Sequence, residues 1–120
     1  MKRKDVLHRY LEAIQRRDLP GILALFTKRA VVKHPMLGEL PAPEFFPKLL
    51  TATSSDGITN SVVLHAEDDS DVSALYFRDK WSRADGASFD NDIVLVFRFD
   101  QSGLVNELKV VFDTWPARQE

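Results

Sequence analysis

Apolar and polar positions alternate most regularly in the last third of the chain, and that alternation sets the frame for everything before it. Ile93, Leu95, Phe97 and Phe99 alternate with Val94, Val96, Arg98 and Asp100, the period of two that a strand requires. Asp100-Gln101-Ser102-Gly103 follows as a turn, with the glycine free to take the positive φ of a short hairpin. The chain returns from Leu104 to Phe112, with Leu104, Leu108, Val110 and Phe112 apolar and Glu107, Lys109 and Asp113 on the other parity. One face of this hairpin is predicted to be a buried wall.

The segments before it read as helices and then strands. Asp5 can cap a helix that places Val6, Leu7, Tyr10, Leu11 and Ile14 on one face. Arg17-Asp18-Leu19-Pro20-Gly21 breaks it, and Asp18 can cap a short second helix carrying Ile22, Leu23, Leu25 and Phe26. Ala30 to His34 is a brief β-branched run stopped by Pro35, which keeps His34 extended, and Gly38 to Pro43 reads as a loop. A third helix opens at Pro43-Glu44 with Phe45, Phe46, Leu49 and Leu50 apolar, provided Pro47 lies within its first turn; Ser54-Ser55-Asp56-Gly57 ends it. From Ile58 onward four strands are expected, with turns at Asp68-Asp69-Ser70-Asp71, Ala84-Asp85-Gly86 and Gln101-Ser102-Gly103. Short turns between successive strands imply an antiparallel meander. Helices first and such a sheet afterwards predict an α+β layer arrangement in which helices cover one face of a curved sheet.

Composition narrows the class. With 120 residues and 44% hydrophobic content, one domain over residues 1–120 is expected. Sixteen basic and eighteen acidic residues give a net charge of −2, which supplies no field for nucleic acid or an anionic membrane. No apolar run reaches bilayer length, so a soluble, cytoplasmic protein is expected. The absence of cysteine excludes disulfides, thiol nucleophiles and thiolate metal sites. The three histidines have no metal-ligand spacing, the five glycines form no phosphate loop, and no Gly-Xaa-Ser-Xaa-Gly elbow occurs, so neither metal nor nucleotide cofactor is indicated.

Three segments carry a family resemblance: Tyr10 to Ile14, Asp18 to Phe26 and Ala30 to Pro35. Together with Phe89-Asp90-Asn91, Val96 to Phe99, Gly103 and Val111 to Thr114, they resemble ketosteroid isomerases and SnoaL-like polyketide cyclases of the nuclear-transport-factor-2-like superfamily. The resemblance spans nearly the whole chain and implies a cone-shaped, cystatin-like α+β barrel. It says less about reaction, because this fold hosts isomerases, cyclases, dehydratases and plain binding modules. By resemblance, Tyr10 matches the tyrosine that donates a hydrogen bond to the substrate oxygen in ketosteroid isomerases. His34 stands where their catalytic aspartate precedes a proline, and Leu95 takes the place of their protonated aspartic acid. An authentic steroid isomerase is therefore not expected. Asp113 matches an acidic residue near the end of the last strand in SnoaL-like sequences, a possible catalytic acid, although its odd parity directs it outside the cone unless a bulge intervenes.

The residues themselves suggest polar groups that point inward. Asp79 shares the parity of Leu75, Phe77 and Trp81, and a carboxylate among aromatics is a candidate acid or base. The alternative is that a bulge or an Arg or Lys partner returns it to water. His34 shares a face with Ala30 and Val32 and could exchange a proton with a ligand near neutral pH; otherwise its nitrogens are satisfied by backbone or water. Asn91 has the parity of Ile93 and Leu95, where an amide can orient a carbonyl, unless it only serves a turn. His8 and His65 read as solvent residues.

These groups are expected to meet in an apolar cavity. Its walls should come from Phe26 and Val32 early in the chain, Phe46 and Leu49 on the third helix, and Val62, Leu75, Phe77 and Trp81 on the first strands of the meander. Ile93, Leu95 and Phe97, then Val110 and Phe112, should complete it. Such a pocket suits a small hydrophobic molecule with one or two oxygens. Two readings stay open. One is cofactor-independent acid–base catalysis with His34 as acid or base, Asp79 orienting it or sharing its proton, and Tyr10 and Asn91 polarising a substrate oxygen. The other is a non-catalytic binding or assembly domain. Val94, Val96, Val105 and Val111 on the opposite sheet face make a homodimer the expected partner arrangement.

Overall fold

The computed structural model describes residues 2–65 and 71–118, apart from the side chains of Asp56, Asn60 and His65. The first three residues of the turn expected at Asp68-Asp69-Ser70-Asp71, and the side chain of His65, therefore lie outside the described residues. Helix α1 (Arg3–Gln15) and α2 (Leu19–Leu23) lead into β1 (Phe26–His34) and β2 (Gly38–Pro41), followed by α3 (Ala42–Ala52). Four strands follow, β3 (Thr53–His65), β4 (Val72–Arg83), β5 (Ser88–Phe99) and β6 (Val105–Phe112), and a final turn of helix, α4 (Trp115–Arg118).

Local chemistry accounts for the boundaries. Helix α1 begins at Arg3 rather than after Asp5, since Arg and Lys extend a helix readily; Asp5 instead sits in the first turn, where its charge faces the positive helix end. The α1 face buries Val6, Leu7, Tyr10 and Ala13. Asp18 caps α2 as expected, its Oδ1 accepting from the Gly21 N–H at 3.1 Å. That cap lies so close that a Cβ on residue 21 would come within 2.3 Å of the Asp18 carboxylate, so a larger residue there would displace the capping side chain. Pro47 lies in the second turn of α3 rather than the first, because the helix already opens at Ala42 behind Pro41.

The six strands form one sheet in the order β2-β1-β6-β5-β4-β3. Strands β3 to β6 are the expected antiparallel meander, and β1 joins β6 in parallel. The sheet curls around the helices as an α+β cone, as the family resemblance implied. The segment expected to be a loop at Gly38 to Pro43 is in part strand β2, because a tight turn at 35–37 folds it back on β1, pairing His34 with Gly38 and Val31 with Pro41. The segment Ser54 to Gly57, expected to end the third helix, is already in β3, with a register shift between Ser55 and Gly57.

Register arranges the inward side chains in layers. Phe26, Val105 and Phe99 are followed by Val32, Leu108 and Phe97, then by Val110, Leu95 and Leu75, then by Phe112, Ile93 and Phe77, then by Asn91, Asp79 and Ile58, and last by Phe89, Trp81 and Ser55. Two expectations change here. A second register shift, between Thr59 and Val62, puts Val62 opposite Tyr76 on the outer face, where it is 46% exposed, so Val62 is not a pocket residue. A shift at Arg98/Phe99 turns Val105, rather than Leu104, into the core.

The first layers are solid. Tyr10, Phe26, Phe46 and Phe97 are all buried, and Tyr10 meets the other three rings at centroid distances of 6.2, 6.1 and 5.2 Å. Phe46 also packs edge-on against Phe26 and Phe45. Phe46→Ala is expected to cost about 3–5 kcal/mol in chemical denaturation, the range for deleting a buried aromatic. A loss below about 1 kcal/mol would mean that this end of the cone repacks freely.

Candidate functional site

Beyond these layers the cone opens into a cavity of about 700 Å³. Phe77, Trp81, Ile93, Leu95, Val110 and Phe112 supply its sheet wall, and Leu49 and Phe45 supply the α3 side. Of the residues expected to line it, Phe26, Val32, Phe46, Leu75 and Phe97 do not: they are buried in the closed end of the cone, where the layers touch one another. Alternation fixes the face a residue takes and not its depth along the strand.

Three polar side chains predicted to point inward do stand in this wall. Tyr10 projects from α1, and burial pushes its phenol well above the usual value, so the hydroxyl stays a protonated donor. Among the described residues that hydroxyl has no hydrogen-bond partner, yet it is not sealed off, and it opens on the cavity. Asp79 lines the cavity from β4 and accepts a hydrogen bond from the Ser55 hydroxyl at 2.7 Å. Ser55 went unrecognised in the sequence because a serine-rich stretch before a glycine reads as a helix end rather than as the start of a strand.

His34, at the end of β1, lines the same cavity between the rings of Phe45 and Phe112, at 5.5 and 5.4 Å. Its Nδ1 accepts the backbone N–H groups of Met36 and Leu37, at 3.1 and 3.3 Å. The imidazole is therefore neutral, with its proton on Nε2. Burial lowers its pKa to about 4. This corrects the expected role: with Nδ1 occupied, the group His34 offers is an N–H donor rather than a base. Nor does Asp79 orient it, because no hydrogen bond joins the two and β5 and β6 lie between their strands.

Asn91 and Asp113 take other work. The Asn91 Oδ1 accepts from the Trp81 Nε1–H at 2.9 Å, fixing the indole that stacks on Phe89, and Asn91 itself does not line the cavity. Asp113 follows its parity outward, where its exposed carboxylate accepts from the Trp115 N–H at 3.0 Å and starts α4. It is not a cavity acid. Met36 and Leu37, exposed apolar residues of the β1–β2 turn, also line it, as do Arg17, Lys48 and Ile58. Among the described residues, no group of three His, Asp or Glu side chains is placed to hold a metal, and no helix is long and apolar enough to cross a membrane.

The family model for the SnoaL-like domain matches residues 7–108. The chain belongs to the SnoaL-like family. The sequence has no match among curated proteins. Solved structures are similar in fold. A candidate polyketide cyclase from Pseudomonas putida KT2440 superposes with a TM-score of 0.83 at 15% identity, over 94% of this chain and 92% of that one. An NTF2-like protein of unknown function from Burkholderia pseudomallei K96243 gives 0.74 at 21% identity, over 96% and 93%. TerC, co-crystallised with polyporic acid, gives 0.74 at 16% identity, over 98% and 95%. Identities this low establish the nuclear-transport-factor-2-like fold and leave the reaction of this SnoaL-like domain to its own side chains.

The histidine has a pH signature. Its folded pKa lies below the ordinary 6.5, so the unfolded chain binds the proton more readily. Its contribution to stability is complete above pH 6.5 and is lost as pH falls toward about 4. Asp85 and Asp100, held below their usual 3.8 chiefly by the Ala87 N–H and the Ser102 side chain, act at lower pH. The melting temperature should fall between pH 6.5 and 4, and His34→Asn should flatten that fall. Equal slopes in the two proteins would remove His34 as the cause.

Proposed function

We propose that this SnoaL-like domain is a cofactor-independent acid–base enzyme of isomerase or cyclase type, acting on a small hydrophobic oxygenated substrate. The supporting observation is that Tyr10, His34 and Asp79 all border one mostly apolar cavity. In this reading the Asp79 carboxylate removes a proton from a carbon next to a substrate carbonyl, and the electron pair moves onto the carbonyl oxygen. The Tyr10 O–H and the His34 Nε2–H donate to the enolate oxygen, stabilising charge as it develops. Where the substrate is β,γ-unsaturated the enolate is a dienolate, and protonated Asp79 then returns its proton to the γ-carbon as the double bond moves into conjugation, which is isomerisation. Alternatively, the enolate carbon attacks a second carbonyl of the same molecule, and Asp79 protonates the new alkoxide, which is cyclisation. Leu95 adds no donor, so the oxyanion is held by Tyr10 and His34 rather than by a carboxylic acid.

The test begins with native mass spectrometry and denaturing extraction to find a co-purifying molecule. Polycyclic ketones of matching size are then incubated in D₂O, and deuterium incorporation beside the carbonyl is followed by NMR. Asp79→Asn should slow exchange by about 10²–10⁴-fold, the usual contribution of a positioned base. Tyr10→Phe should slow it by about 10²-fold while leaving the melting temperature level or slightly higher, because its hydroxyl has no partner to lose among the described residues. Exchange at wild-type rates in Asp79→Asn would dismiss the mechanism. A ligand held without any exchange would favour the binding-domain reading.

A second, compatible reading is a homodimer formed through the outer sheet face. Val62, Tyr76, Val94 and Val111 lie in one row across four strands, beside Leu64 and Val96, and Val62, Leu64, Tyr76 and Val111 are exposed. Tyr76→Lys is expected to shift sedimentation from dimer to monomer. An unaltered sedimentation profile would move the interface elsewhere or leave the chain monomeric.

A further inference from the structure

The mouth of the cavity carries charge that the acid–base reading does not use. Helix α1 ends in a Schellman turn, with the Asp18 N–H bonded to the Ala13 carbonyl and the Arg17 N–H to the Ile14 carbonyl. The left-handed position of this turn normally takes glycine or asparagine, yet Arg17 occupies it with a φ of 55°. Its side chain explains the choice. One guanidinium nitrogen, Nη2, donates to the carbonyls of Leu50 and Thr53, so the group is pinned over the C-terminal end of α3 at the cavity rim. Its partners are neutral carbonyls, and among the described residues no carboxylate meets it.

Lys48, one turn back on α3, also borders the cavity and has no ion-pair partner among the described residues. Arg83, the third basic residue of the wall, is already engaged by Asp85 at 3.0 Å and lies over the Phe89 ring. Asp79 is the one carboxylate in the lining among the described residues, and Ser55 covers one of its oxygens. Two cations without a carboxylate partner among the described residues therefore stand at the rim of a mostly apolar pocket. One of them has a fixed guanidinium with Nε and Nη1 still to offer.

We infer that the ligand is an amphipathic organic anion, with an apolar ring-bearing body inside the cone and a carboxylate at the mouth between Arg17 and Lys48. This rests on the small-molecule reading of the same cavity and adds the charge of the ligand and the end by which it is held. Arg17 and Lys48 are binding residues here, remote from the groups that would move protons.

Isothermal titration calorimetry with 2-naphthoate and 2-naphthamide, which share ring and size and differ in charge, tests it. Naphthoate is expected to bind about tenfold more tightly, as a charge-assisted contact warrants, and the preference should shrink at high salt. The double variant Arg17→Gln, Lys48→Gln should bring naphthoate down to the affinity of naphthamide and leave naphthamide unchanged. If that variant does not fold, Lys48→Gln alone, at an exposed helix position, should still lower naphthoate affinity several-fold. Equal binding of the two probes by the wild-type protein, or a preference that survives these substitutions, overturns the anion inference while leaving the pocket reading intact. Failure of both probes to bind overturns the two together.

Discussion

The aromatic packing of Tyr10 against Phe26, Phe46 and Phe97 is the contact on which the rest of the molecule depends. A small domain has little apolar area to spend, and an open cavity of about 700 Å³ forgoes the dispersion contacts that side chains of that volume would supply. The cone meets this constraint by concentrating burial at one end. There, α1 and α3 press Tyr10 and Phe46 onto Phe26 and Phe97 in the closed layers of β1, β5 and β6, and the strands then carry the wall beyond the point where the helices can fill it. Tyr10 stands at the border, with its ring part of the seal and its hydroxyl facing the space left open.

That border position decides the chemistry of all three polar groups. Burial keeps the Tyr10 phenol protonated and the His34 imidazole neutral, so both arrive as donors. Asp79 lies a few residues farther along its strand, half-buried and already solvated by Ser55, where a carboxylate can remain an acceptor. Helix α1 and strand β1 thus bring the two donors and β4 the acceptor to one cavity, without any direct bond among them. The same logic disposes of a His34–Asp79 dyad, since each side chain is satisfied by its own neighbourhood: His34 by the turn that follows it, Asp79 by the strand beside it.

Much of this was legible in the sequence because the period of two is robust on β4 and β5. The inward parity of Leu75, Phe77, Asp79, Trp81, Ile93, Leu95 and Phe97 was readable, as was the outward parity of Asp113. Errors arose where the period slips. The irregularity between Thr59 and Val62 moved Val62 outside, and the one at Arg98/Phe99 exchanged Leu104 for Val105. Nothing in a one-dimensional alternation reports a bulge before the pairing is known. Depth was illegible for a similar reason: Phe97 and Leu95 have identical parity, but only the helices determine which is sealed and which lines the cavity. Family resemblance supplied Tyr10 and His34 as positions, whereas the tautomer of His34 came from the turn at 35–37, which the sequence marked only by the Pro35 that stops the strand.

The sharing of His34 between that turn and the cavity has a mechanical consequence. The nitrogen that holds the N–H groups of Met36 and Leu37 belongs to the ring whose other nitrogen is available to a substrate oxygen, and Met36 and Leu37 are themselves part of the lining. Fixing the turn therefore fixes the tautomer, and fixing the tautomer makes the ring a donor. A ligand that accepted from Nε2 would polarise the imidazole and strengthen Nδ1 as an acceptor, tightening the turn against the ligand's apolar body. One side chain thus ties the conformation of this apolar turn to the donor that His34 presents to the cavity.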